Sequence, residues 1–265
     1  MDRFDLDWER VADEAVAFIR ERMTAARRDA VVIGLSGGID SALSAFLTVR
    51  ALGADKLTAF MLPYRTSSDR SLADAQLVAE ALGIAHEVLE ITPMVDVYFE
   101  CYPDAGRMRR ANMMARQRMA VLYDQSERLD ALVVGTGNLT EALLGYTTLW
   151  GDMACAFNPI GDLYKTQVRR LAACLGVPES VCVKPPTADL WEGQTDEGEL
   201  GFTYEQADRI LVGLKEDRKT VEEVAAEGFD EESVARVQTM MHGSAFKRQM
   251  PPAPGLRDLL PERRR

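Results

Sequence analysis

Leu35-Ser36-Gly37-Gly38-Ile39-Asp40-Ser41 lies between an apolar run over residues 30–35 and a second apolar-rich stretch over 42–51. The first run reads as a buried strand and the second as a helix. A strand, a tight glycine loop and a helix N-terminus together make an anion site. The loop N–H groups are unpaired, and the helix dipole favours negative charge there. Gly37 and Gly38 let a phosphate approach the backbone with no side chain between them. Ser36 and Ser41 add hydroxyl donors. Asp40 is a carboxylate among phosphates, an arrangement that calls for a cation between the two. The loop predicts a nucleotide polyphosphate accompanied by Mg²⁺.

Outward from the loop, strands and helices alternate. A strand over 57–62 ends at Pro63, a helix over 71–82 stops at Gly83, and 85–91 reads as a third strand. An irregular stretch over 93–106 leads to a helix over 112–126 and a fourth strand over 131–135. The opening segment, 4–23, is amphipathic and reads as a packing helix. This order predicts an α/β fold with a doubly wound, mostly parallel sheet. Beyond Leu144 the periodicity weakens, and 145–163 reads as a long functional loop before a helix over 165–175. Residues 184–201, with two prolines and three glycines, read as a mobile cover. Short helices over 204–214, 221–226 and 231–241 predict a small C-terminal helical lobe. The whole chain, 1–265, is expected to be one domain with no glutaminase domain of its own.

Composition narrows the function. The net charge of −11 argues against a nucleic-acid partner. The run Arg263-Arg264-Arg265 reads as a solvated tail. Cys101, Cys155, Cys174 and Cys182 form no C-x-x-C pair, and two histidines are too few for a zinc centre. No stretch is apolar enough to span a membrane, and no secretory leader is expected. Scattered thiols of this kind predict a cytoplasmic protein.

Ligands of doubly wound sheets sit outside the C-terminal strand ends. Ser36, Arg65, Ser67, Ser68, Thr136 and Asn138 all fall just after a strand. Thr136 and Asn138 are candidates for reading a base or ribose. Glu141 is either a second metal ligand beside Asp40 or a first-turn helix acid stabilised by the dipole. Arg116 and Arg118 are two apart on a helix, so their side chains diverge and cannot serve one phosphate. Lys165 is a point charge suited to departing pyrophosphate, and Thr187 could donate to the same phosphates when the cover closes.

The loop is neither a Walker A sequence nor a dinucleotide fingerprint. It resembles the SGGxDS loop of the N-type ATP pyrophosphatases, whose fold is called adenine nucleotide alpha hydrolase-like. The wider chain resembles the ammonia-dependent NAD synthetases. The matching segments are GLSGGIDSAL (34–43), ARQRM (115–119), GTGNLTE (135–141), PIGDLYKTQVR (159–169), KPPTADLWEGQTDEGELG (184–201) and FKRQMPPAP (246–254).

The resemblance implies that ATP and the nicotinate carboxylate of deamido-NAD give an acyl adenylate, which ammonia converts to the amide. It assigns Gly34, Ser36, Gly37, Gly38, Ile39, Asp40, Ser41, Arg118, Thr136, Lys165 and Thr187 to ATP. It assigns Asn112, Arg116, Tyr123, Asp152 and Lys247 to the second substrate, and Asp40 and Glu141 to Mg²⁺. Ser36, Asp152 and Lys165 are the expected catalytic groups. A homodimer is also implied, and a separate glutaminase subunit is compatible with it. One segment departs from the family pattern. Leu149, Met153, Ala154 and Ala156 stand where a Lys, two glycines and an acid are common. Three functions follow: a deamido-NAD ligase, a ligase for another carboxylic acid, or a nucleotide-binding paralogue without catalysis.

Overall fold

The computed structural model describes residues 3–191, 193–254 and 256. Its centre is a parallel sheet of four strands in the order β3-β2-β1-β4. These are β1 (Ala30–Gly34), β2 (Leu57–Met61), β3 (Ala85–Val88) and β4 (Ala131–Val134). Every adjacent pair is parallel, with Val32 opposite Thr58 on one side and Val133 on the other. Parallel strands covered on both faces are continuously apolar rather than alternating. β1 fits that rule: Val31, Val32 and Ile33 are all buried.

Val31 and Ile33 join one hydrophobic cluster and Val32 another. The first cluster packs α1 (Trp8–Ala26), α2 (Ile39–Leu52), α3 (Asp69–Leu82) and α7 (Lys165–Cys174) on one face of the sheet. The second packs α4 (Thr92–Glu100) and α5 (Arg107–Arg128) on the opposite face. Phe60 is wholly buried in this second layer, a burial that contributes roughly 1.5–3 kcal/mol. The third cluster is the helical lobe. It includes residues of α6 (Leu139–Leu144), α9 (Asp196–Leu200), α10 (Tyr204–Leu211), α11 (Val221–Ala225) and α12 (Glu231–Gly243). The remaining short helix is α8 (Glu179–Cys182), which packs with the first layer. Among the described residues, no helix is long and apolar enough to cross a membrane.

Several boundaries move from the sequence reading. α1 starts at Trp8, where Asp7 caps it by accepting the Arg10 N–H at 3.1 Å. The stretch after β3 is not irregular but holds α4. Pro93 sits in its first turn, where a missing N–H costs nothing. β3 is shorter than expected and exposed along its length, as befits an edge strand. The cover contains a helix of five residues, α9, and Glu192 within it lies outside the described residues, as does the Arg263–Arg265 tail. The long loop after α6 has no regular element. Phe157 makes one parallel bridge to Val134, extending the sheet edge beside β4.

Candidate active site

The glycine loop joins β1 to α2 at the C-terminal edge of the sheet. Gly38 is the N-cap of α2 and offers no side chain to it, so the first-turn N–H groups are available to an anion. Gly37 has φ +75°, and a Cβ there would collide with the Ser71 carbonyl oxygen. Glycine is required at this position on both counts. Ser41 Oγ accepts the Ser36 N–H at 3.2 Å and donates to the Gly38 carbonyl at 3.0 Å, which sets the turn.

One cavity of about 320 Å³ lies against this loop. Gly34, Ser36, Gly38, Ile39, Asp40 and Ser41 line it. Arg118, Thr136, Glu141, Asp152, Lys165 and Thr187 line it as well. These twelve are separated by as many as 153 positions, counting from Gly34 to Thr187, and share one space. Gly37 is not in the lining but shapes the turn behind it.

The most concentrated charge is a triad. Lys165 is 3% exposed; its ammonium donates to Asp40 at 2.5 Å and to Glu141 at 3.0 Å. Burial opposes the charge on Lys165, but the two carboxylates outweigh it and raise its pKa. Burial, reinforced by the neighbouring Asp40 charge, pushes the Glu141 carboxyl up to about 7 against the pull of Lys165. Asn138 completes the group. Its amide nitrogen donates to Asp40 at 2.8 Å, and its oxygen accepts the Glu141 N–H at 2.9 Å as the N-cap of α6. Both ends of the Asn138 amide are engaged within the protein, so it orients the carboxylates instead of reading a base. Glu141 is a first-turn acid of α6, and its carboxylate shares the Lys165 ammonium with Asp40.

Arg116 and Arg118 diverge as their spacing requires. Arg118 is half-buried, donates to the Leu62 carbonyl at 2.9 Å and faces the cavity. Arg116 points to the other side, onto the Leu149 carbonyl at 3.3 Å. Asn112 accepts from the Thr148 hydroxyl at 2.8 Å, and Lys247 donates to the Gly145 and Thr147 carbonyls, both at 2.8 Å. All three thus grip the segment that starts at Gly145, and none lines the cavity. Tyr123 is 39% exposed on α5 and also stands outside the lining. Asp152 does line it. It accepts the Thr148 N–H at 2.7 Å, and burial raises its pKa.

The cover is clasped to the loop before α3. Asp189 accepts the Ser68 N–H at 2.9 Å, and the Thr66 hydroxyl donates to the Leu190 carbonyl at 3.2 Å. Lys184 Nζ reaches Asp74 at 2.9 Å and the Ser71 hydroxyl at 3.1 Å. Lys184, Asp189 and Asp196 line the cavity, and sequence reasoning gave them no role. The only sequence signal for them was their place in the segment KPPTADLWEGQTDEGELG (184–201).

Residues 11–251 match the family model described as NAD synthase. The chain belongs to the NAD synthase family. It is 49% identical over 251 residues to an NH₃-dependent NAD⁺ synthetase of Fusobacterium nucleatum, covering 95% of this chain and 97% of that one. Among solved structures it is similar to an NMN synthetase from Francisella tularensis, with TM-score 0.84, 31% identity and coverage of 95% and 100%. It is also similar to an NH₃-dependent NAD synthetase from Campylobacter jejuni in complex with nitrate, with TM-score 0.80, 33% identity and coverage of 94% and 99%. The parallel sheet, the flanking helices and the helical lobe are those of the adenine nucleotide alpha hydrolase-like fold. As a member of this family the chain is a carbon–nitrogen ligase that takes ATP as co-substrate.

Proposed function

We propose that this chain amidates the nicotinate carboxylate of deamido-NAD with ammonia and cleaves ATP to AMP and pyrophosphate. A carboxylate oxygen attacks the α-phosphorus, the bond to the β-phosphate oxygen breaks, and pyrophosphate leaves. Ammonia then attacks the acyl carbon of the adenylate, and AMP departs with the former carboxylate oxygen. Splitting one hard displacement into two is what adenylation achieves.

The residues divide accordingly. The glycine loop and the first turn of α2, Gly34 to Ser41, cradle the phosphates, with Arg118, Thr136 and Thr187 around the nucleotide. Lys165 meets the charge growing on pyrophosphate. Asp152, whose pKa desolvation at the cavity raises, accepts the proton that ammonia loses. Asn112, Arg116, Tyr123 and Lys247 belong to the second substrate's side, the first, second and fourth by shaping the segment from Gly145 onward. Asp40 and Glu141 fit Mg²⁺: two hard oxygen donors that already need a cation between them. Among the described residues no cluster of three or more metal-binding side chains exists, so phosphate oxygens would complete the shell. Bound there, the metal would neutralise phosphate charge.

The observation that carries this reading is the meeting of Asp40, Glu141 and Lys165 in the cavity that also holds Asp152. Free ammonia is the nitrogen source, and one domain performs both half-reactions. The Fusobacterium relative, aligned over 97% of its length and named for ammonia, supports both points. A homodimer is supported by the apolar surface of α4, the turn after it and the start of α5, where Met94, Val97, Tyr98, Tyr102 and Met108 are exposed. Four unpaired cysteines agree with a reducing cytoplasm.

A second reading has one observation in its favour, the likeness to the Francisella NMN synthetase. In it the acid is the deamidated mononucleotide. One assay separates the two. The chain is given ATP, Mg²⁺, ammonium and either acid, and AMP and amide are measured. Equal amounts of AMP and NAD with deamido-NAD are expected. AMP release with the mononucleotide acid alone would replace the first reading by the second.

A further inference from the structure

Asp208 lies on α10 in the helical lobe, is 0% exposed and does not line the cavity. A buried carboxylate is costly unless it is richly hydrogen-bonded. This one accepts from the Thr140 hydroxyl at 2.5 Å and from the Thr166 N–H at 2.7 Å. The Thr140 hydroxyl in turn accepts the Lys165 N–H at 2.8 Å. Lys165 and Thr166 open α7, and their N–H groups have no partner within that helix. Asp208 thus satisfies both, one directly and one through Thr140, and its charge suits a helix N-terminus.

The consequence reaches the triad. Thr140 is the neighbour of Glu141 on α6, and Thr166 is the neighbour of Lys165 on α7. One carboxylate from a third helix therefore fixes the two backbones that carry the Lys165–Glu141 pair. Tyr204 lies one turn earlier on α10. Its ring centroid is 5.0 Å from the Lys165 ammonium, and its hydroxyl donates to Asp196 of the cover at 3.0 Å. The lobe thus holds Lys165 at both ends, by Asp208 at the backbone and Tyr204 at the ammonium.

We infer that Asp208 is a positioning residue for adenylation: through Thr140 and Thr166 it aligns Lys165 and Glu141 with the leaving pyrophosphate. The inference rests on the ligase reading above. The test is steady-state AMP release by the full chain with ATP, Mg²⁺, ammonium and deamido-NAD. The variants are Asp208→Asn, Thr140→Val, Thr140→Ser, Lys165→Ala and the Asp208→Asn/Lys165→Ala pair. Misalignment by a fraction of an ångström to one ångström should lower kcat about 10–100-fold in Asp208→Asn and Thr140→Val. The KM for ATP should stay within about 3-fold, because the loop and cover bind it independently. Thr140→Ser keeps the hydroxyl and should restore most of the rate that Thr140→Val loses. With Lys165 already removed only Glu141 remains to be misaligned, so Asp208→Asn should cost several-fold less there than it does alone.

If Asp208→Asn multiplies the loss in the Lys165→Ala background as fully as it does alone, the positioning role is wrong. Wild-type kcat in Asp208→Asn overturns it as well. Should Asp208→Asn lose its cooperative thermal transition, the two Thr140 variants decide. Equal rates for Val and Ser then overturn the inference. A wild-type chain inert towards deamido-NAD, by contrast, overturns the ligase reading and the inference with it.

Discussion

In the charged triad on the nucleotide side, side chains hold one another; on the acid side, the long cationic side chains hold backbone. Asp40, Glu141, Lys165 and Asn138 form a closed set of charged and amide contacts. Residues 145–149 are gripped instead mainly at their carbonyls, by Arg116 at Leu149 and by Lys247 at Gly145 and Thr147, with Asn112 at the Thr148 hydroxyl the one side-chain contact among these. The difference explains where this chain can depart from the common pattern of its family. A carbonyl is the same whatever residue bears it, so the Leu149 carbonyl serves Arg116 as a lysine's would. Leu149 can therefore stand where a Lys is expected without loss of this contact, and Ala154 and Ala156 are likewise held through backbone, their N–H groups donating to the Gly151 and Val133 carbonyls. No such freedom exists in the triad, where each group answers another's charge.

The comparison breaks first if the triad tolerates change. Asp40→Asn should leave the fold intact by circular dichroism and reduce AMP release about 10²–10³-fold. The motive is the 2.5 Å contact with Lys165 among the proposed metal ligands. Near-normal turnover at limiting Mg²⁺ would remove Asp40 from the metal site.

Next in size is a pH effect. Burial holds the Glu141 carboxyl near 7 in the free protein, so its charged form is lost as pH falls through about 7. kcat/KM for ATP should fall on the acid side there. Raising Mg²⁺ should move this limb to lower pH, since a bound cation favours the carboxylate. Glu141→Gln should abolish the shift with Mg²⁺. A limb indifferent to Mg²⁺ would leave Glu141 as a helix-start acid only.

A smaller effect is expected on the acid side. The common family residues can be introduced together, as Leu149→Lys, Met153→Gly, Ala154→Gly and Ala156→Asp. The new lysine and acid add charged contacts worth roughly 1.5–3 kcal/mol each at best. If deamido-NAD is already the substrate, its kcat/KM should change less than about 10-fold. A far larger gain would mean that the natural acid is a different one.

The smallest effect concerns the cover. Asp189→Ala removes the clasp to Ser68 and should raise the KM for ATP a few-fold, about one hydrogen bond's worth. Proteolysis within 185–201 should then become faster, and ATP should slow it in both proteins. Cleavage unchanged by ATP would count against a closing cover.

What could be seen in the sequence follows the same division. The strands, the glycine loop and the helices next to it are local patterns, so the apolar run of β1 and the stop at Gly83 declare themselves. Pro93 misled because a proline interrupts a helix interior yet suits a first turn. Asn138 misled for another reason. Its role is set by Asp40, 98 residues away, and no spacing rule encodes such a contact. Asp208 and Thr140, 68 residues apart, were invisible for the same reason. Candidate residues could be named from motifs. The carbonyls that Arg116 and Lys247 would grip could not, because a backbone acceptor leaves no mark in composition.

The central claim is that a nicotinate carboxylate is activated as an acyl adenylate in this cavity. It is tested most directly by oxygen transfer. Deamido-NAD labelled with ¹⁸O in the nicotinate carboxylate is turned over with ATP, Mg²⁺ and ammonium, and the AMP is analysed by mass spectrometry. The mechanism requires one labelled oxygen in AMP and none in pyrophosphate. AMP without label, or label in pyrophosphate, would contradict it.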